Sequence, residues 1–177
     1  MRSIRTGTQG DPGSATRLRP GMNLWSGILL GFGVIAFVDE TVFHQLLHWH
    51  HFYDLSTTDV GIVSDGLFHA FSWFATIAAL FLFAQLRRER VLHGRRFAGG
   101  FLVGAGFFQL YDGLIQHKLM GLHQIRYGVN IVPYDLTWNL IAAVLLAAGI
   151  WLIITTRSGA HSNHNRTTVP GAPPTRS

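Results

Sequence analysis

Three polar residues recur in one order at one offset. Asp39, His44 and His50 are each followed 73 positions later by Asp112, His117 and His123. Carboxylates and imidazoles in this mixture suit metal ligation. Neutral imidazoles one helical turn apart can reach a single ion, and nearby carboxylates bind the ion or orient an imidazole through its other nitrogen. The first copy is the richer. His44-Gln-Leu-Leu-His48-Trp-His50-His51 contains an HxxxH and an HxHH.

Two further pairs follow, Asp65 with His69 and Asp135 with Asn139. Their i, i+4 spacing puts each pair on one helix face. The candidate metal ligands are therefore Asp39, His44, His48, His50, His51, Asp65, His69, Asp112, His117, His123 and Asp135. The copies differ: His48 becomes Gly121, His51 becomes Gln124, Glu40 becomes Gly113, and His69 becomes Asn139. A site between them is expected to be asymmetric and weighted to the first half. Competing readings exist. His48, His50 and His51 beside Trp49, Phe52 and Tyr53 suit an interfacial belt, and His44, His69 and His117 suit structural hydrogen bonding. No such reading disposes of Asp39 and Asp112, because a carboxylate in lipid needs a partner. On a regular helix Glu40, His44, His48 and His51 share about 80° of arc, with Asp39 and His50 on another face.

The elements that carry these residues are apolar. The chain is 48% hydrophobic and only 13% charged, with 13 Phe, 5 Trp and 20 Gly among its 177 residues. Soluble domains average about 25% charged residues, so the composition is that of a membrane protein. No cysteine is present, which excludes disulfides, thiolate metal sites and cysteine nucleophiles. Apolar stretches over 24–47, 67–86, 97–119 and 136–154 each approach the roughly 20 residues that span the hydrocarbon core. Backbone groups in lipid must pair within their own segment, so helices are expected. Residues 1–22 and 157–177 read as disordered tails around a transmembrane domain over 23–156.

Arg2, Arg5, Arg17 and Arg19 precede the first span, and Arg87, Arg88, Arg90, Arg95 and Arg96 lie between spans two and three. The positive-inside rule then places both termini in the cytoplasm. The net charge of +5 sits mainly in tails and one loop, so it is a topology signal and nucleic acid is not an expected partner. The first span is too long for the apolar core of a cleaved signal peptide. At about 1.5 Å rise per residue, Asp39 lies roughly 24 Å beyond Asn23 and His44 roughly 7 Å further. Asp65, His69, Asp135 and Asn139 fall in the first turns of helices entering from outside. All four helices thus bring polar groups to the outer third of the membrane. Gly27-xxx-Gly31 and Gly100-xxx-Gly104 let helices approach closely.

Asp39-Glu40-Thr41-Val42-Phe43-His44-Gln45, His48-Trp49-His50-His51, Asp65-Gly66-Leu67-Phe68-His69, Asp112-Gly113-Leu114-Ile115-Gln116-His117, Gly121-Leu122-His123 and Tyr134-Asp135 together resemble a family of bacterial membrane proteins, domain of unknown function 2243. The likeness covers about Asn23 to Ile154. It implies a small four-helix inner-membrane protein. In size and histidine content such proteins are similar to factors that accompany respiratory oxidases and copper handling. The family often has Asp-Gly after its first apolar run, as at Asp112-Gly113, where this chain has Asp39-Glu40. Glu40 offers an extra ligand or merely fits the same place.

The expected fold is an all-α, four-transmembrane-helix bundle of two tandem, parallel-oriented hairpins related by pseudo-twofold symmetry. The expected function is to hold zinc, copper or iron near the outer face of a bacterial inner membrane, in metal handling or respiratory-complex assembly. Three alternatives stand beside it. One is a metal-dependent enzyme, either a His-box oxidase or hydroxylase, or a zinc hydrolase with Asp39 or Glu40 as base. A second is a haem protein with His44 and His117, or His69 and His117, as axial ligands. The third is a scaffold in which Asp39–His44 and Asp112–His117 are buried polar pairs. Expected partners are the lipid bilayer and either another membrane complex or a second copy of the chain.

Overall fold

Gly27 and Gly100 set how closely the two halves of the chain approach. A side chain at Gly27 would strike the Phe97 carbonyl, and one at Gly100 the Leu24 carbonyl, the position 73 residues earlier. Gly31 and Gly104 behave in the same way, the first against the Phe101 carbonyl and the second against that of Ile28. The obstacles are backbone atoms, so neither helix could accommodate a larger residue without separating from the other. These contacts run in register, so the helices that make them run in the same direction.

The computed structural model describes residues 19–166, with side chains for 19–156. Helix α1 spans Pro20–Asp39 and continues as a π-helical segment, Glu40–Leu46. Helix α2 spans Thr58–Arg88. Helix α3 spans Gly94–Tyr111 and continues as a second π segment, Asp112–Met120, and α4 spans Val132–Arg166. The molecule is all-helical among these residues, with four helices long and apolar enough to cross a membrane. Helices α1 and α3 form the central pair, with α2 packed on α1 and α4 on α3. Gly33 meets Thr76 and the Ser72 carbonyl of α2, and Gly106 meets Ala142 and Leu146 of α4. The expected tail over 1–22 lies outside the described residues through position 18. In the expected tail over 157–177, helix α4 runs on to Arg166 and the rest lies outside.

The interior is small and polar, and the exterior large and apolar. Asn23, Ser26, Asp39, Glu40, His44, Asp65, Ser72, Asp112, His117 and His123 are buried, whereas Trp25, Leu67, Phe74, Phe81, Leu136 and Trp151 are exposed. A soluble bundle would invert this, so the pattern is the one lipid requires. Helix α2 begins nine residues before the apolar stretch that starts at 67. Thr57 caps it by accepting a hydrogen bond from the Val60 amide. Asp59, Ser64 and Asp65 keep hydropathy low across these turns, although Ser64 and Asp65 serve the preceding loop.

The two ends of the bundle differ. At one end, the short link between α2 and α3 is tied down by Asn23, whose amide donates to the Val91 carbonyl and accepts from the His93 amide. His93 caps α3 by accepting from the Arg96 amide. The other end carries both π segments and the longer loops over 47–57 and 121–131.

Candidate metal centre

The π segments do what a regular helix cannot. On α geometry, residues five apart point about 140° away from one another. The i→i+5 bonding of a π turn brings them nearly over each other, and such turns recur at functional sites. Asp39 Oδ2 and His44 Nε2 come within 3.6 Å. Asp112 Oδ2 and His117 Nε2 come within 3.0 Å. The Gln45 amide donates to Glu40 Oε1 at 2.8 Å, again across five residues. The angular grouping expected on a regular helix is therefore replaced: Asp39 joins His44, and His48 leaves.

Both segments end alike. The Trp49 amide donates to the Phe43 carbonyl, and the Leu122 amide to that of Gln116, the same bond 73 residues on. Each chain reverses through a left-handed residue, His48 at φ 50° and Gly121 at φ 60°. His48 is exposed there and joins no cluster. The turns then deliver His50 and His123 into a shared interior. His50 donates Nδ1–H to the Ile125 carbonyl at 3.0 Å. His123 donates Nδ1–H to the Phe52 carbonyl at 2.9 Å. Each acceptor lies two residues beyond the other histidine, so the loops hold each other reciprocally. The two rings stack 4.5 Å apart, within 4° of parallel.

These bonds fix the tautomers. With Nδ1 donating, the Nε2 atoms of His50 and His123 point into the protein, buried and without a hydrogen bond. His50 lies in the loop outside the spans. Burial above all lowers it from the ordinary 6.5 to about 2, which favours the neutral ring. His117 completes the group, with its ring 4.7 Å from His123 and 6.1 Å from His50. Neither of its nitrogens has an aligned hydrogen-bond partner. Asp112 faces His117 and also stands 3.5 Å from His123 Nε2. His50, His117 and His123 offer ligand atoms within 4.8 Å of one another.

His44 sits beside this group, its ring 4.4 Å from His50. Its Nδ1 lies 3.0 Å from Asp65 Oδ1 and 3.1 Å from Glu40 Oε2, forming a second cluster of potential ligands. Asp65 is already well occupied. It accepts from His44, from the Phe52 amide at 2.7 Å and from His51 at 2.6 Å. A carboxylate so engaged orients its neighbours. His44 Nε2 is buried and makes no hydrogen bond, with Asp39 Oδ2 3.6 Å away.

Of the residues singled out from sequence, Asp39, His44, His50, Asp112, His117 and His123 come together, with Asp65 and His51 around them. His69 stays apart from both clusters and packs against Phe37. Asp135 pairs with Lys118. Lys118 and Gln116 were missed, although a lysine and a glutamine inside an apolar span were visible. Glu40, marked by its departure from the family pattern, is 0% exposed beside His44.

No curated protein and no solved structure matches the chain. The model of a family described as a predicted membrane protein, DUF2243, matches residues 26–156. With that match and four membrane-length apolar helices, this chain is a multi-pass membrane protein and belongs to that family.

Proposed function

We propose that this protein holds a transition-metal ion between its two halves, with His50, His117 and His123 as imidazole ligands and Asp112 as the adjacent carboxylate. One observation carries the reading. His50 and His123 each spend one nitrogen on a backbone carbonyl of the other half and aim the second, buried and without a hydrogen bond, into a common space that Asp112 also faces. Metal-ligating histidines are typically oriented in this way, whereas buried polar atoms in ordinary cores find partners.

Charge supports the same conclusion. Asp39, Glu40, Asp65 and Asp112 are all buried, and buried carboxylates need compensating cations. Tetrahedral bonds of about 2.0–2.1 Å draw ligand nitrogens to roughly 3.4 Å apart, a small contraction from the present spacing. Imidazole and carboxylate donors suit zinc, copper or iron.

The reciprocal contacts favour a pseudo-twofold relation between tandem hairpins. The arginines at the far end of the bundle favour placing that end in the cytoplasm, which would put the centre at the outer face. The role proposed there is metal handling, in support of another membrane complex. A second reading, a metal-dependent enzyme with a lipid-soluble substrate, is favoured by apolar grooves of about 530 and 460 Å³ beside the centre.

Elemental analysis of detergent-purified protein tests the first reading. Wild type and His48→Ala should carry near-stoichiometric metal, and the His50→Ala/His123→Ala double variant at least tenfold less at matched elution and helicity. Equal trace levels in all three would overturn it.

A further inference from the structure

We propose that the groove between α2 and α3 binds a flat aromatic amphiphile from the bilayer, of the hydroquinone or alkylphenol class, with a ring hydroxyl directed at Gln116. The proposal deepens the enzyme reading by naming its substrate class, and rests on it only for what the bound head group would meet. The groove is graded. Leu67 is 70% exposed and Phe71 and Phe107 55% exposed at its mouth, while Phe68, Phe108 and Gln116 are buried at its floor. Its mouth is apolar and faces where lipid would lie, so an occupant would enter sideways from the membrane.

The floor is made of rings. Phe52 and Phe68 stack at 4.8 Å, Phe68 and Phe108 at 5.8 Å, and Phe32 meets Phe108 edge-on at 5.2 Å. Stacked and edge-on faces reward a planar guest more than a flexible chain. The same rings back onto the centre: Phe68 lies 5.9 Å from His44, and Phe52 6.2 Å from His123.

Gln116 supplies the polar point. It is 5% exposed, lines the groove, and its Oε1 has no hydrogen-bond partner. Leaving a buried acceptor unsatisfied is costly, and a ligand hydroxyl would remove that cost. The groove on the opposite side provides the contrast. There Phe43 stands 73 residues before Gln116, and Trp49 and Trp138 fill much of the wall. Arg126 lies over Trp49 at 4.7 Å and donates to the Tyr134 hydroxyl. Of the two grooves, the one beside Gln116 combines an open aromatic floor with an unmet acceptor.

Binding of radiolabelled decyl-hydroquinone to the full chain in nanodiscs tests this, with 1-dodecanol and decylbenzene as competitors. Saturable binding is expected, weakened at least tenfold by Gln116→Leu and abolished by Leu67→Trp, which fills the mouth from an exposed position. Ile141→Trp, in the opposite groove, should leave it unchanged. Both competitors should displace the probe at least tenfold less well than unlabelled hydroquinone. No saturable binding, equal binding in Gln116→Leu and Leu67→Trp, or dodecanol competing as well as hydroquinone would each overturn the proposal. Protein stripped by chelator should still bind the probe, so metal analysis and probe binding can fail separately.

Discussion

The Asp65 side and the Asp135 side of the cluster end their π segments with matching bonds and left-handed turns but solve their electrostatics differently. Around His44, three carboxylates converge from α1, its π segment and α2, and Asp65 takes donors from two imidazoles and a backbone amide. Around His117 there is Asp112 alone. Gly113 stands where Glu40 does, with Trp138 and Asn139 against it, and Asp135 has turned away to Lys118. The imidazoles common to both halves are thus retained while their supports diverge. The first half is a braced wall, and in the second His117 faces a single carboxylate, with its Nδ1 buried and without a hydrogen bond.

Variants can break this comparison, and the most drastic ignore it. Gly27→Leu and Gly100→Leu should each abolish folded, monodisperse protein by size-exclusion chromatography, because both collide with backbone. A large difference between the two would show that the halves do not meet as equals. Next come the two α-helical acids. Asp65→Ala strands three donors, the buried His44 among them, and should cost about 3–5 kcal/mol, read as a large fall in thermal midpoint in detergent. Asp135→Ala breaks a half-exposed pair with Lys118 and should cost no more than about 1 kcal/mol. Equal losses would erase the distinction between braced and open halves.

Smaller effects sharpen it. Glu40→Gly makes the first half resemble the second. Metal content should persist, with affinity lowered about tenfold by a looser His44, as loss of an outer-shell partner typically gives. The smallest effect is a gain. His48→Gly places glycine in a left-handed turn like that of Gly121 and should stabilise by up to about 1 kcal/mol, measured as a slightly higher melting temperature.

The four helices were legible because lipid demands long apolar runs, and these are plain in the sequence. The members of the cluster were legible because ionisable residues are conspicuous inside such runs. Their mutual geometry was not. Rotation at 100° per residue separates Asp39 from His44, and only the π winding of Glu40–Leu46 reunites them. The start of α2 at Thr58 was hidden because Asp59, Ser64 and Asp65 depress hydropathy without ending the helix. Gln116 and Lys118 escaped notice because the 73-residue offset matches them to Phe43 and Gln45, and a search for repeated polar residues skips what is not repeated.

The crossed bonds from His50 to Ile125 and from His123 to Phe52 set an order of assembly. When the first hairpin leaves the ribosome, the acceptor for His50 has not yet been synthesised. The histidine cannot be locked until the loop over 121–131 has been made and packs against it. A chain truncated after α2 would therefore leave His50 without its Ile125 acceptor and the loop over 47–57 without that anchor.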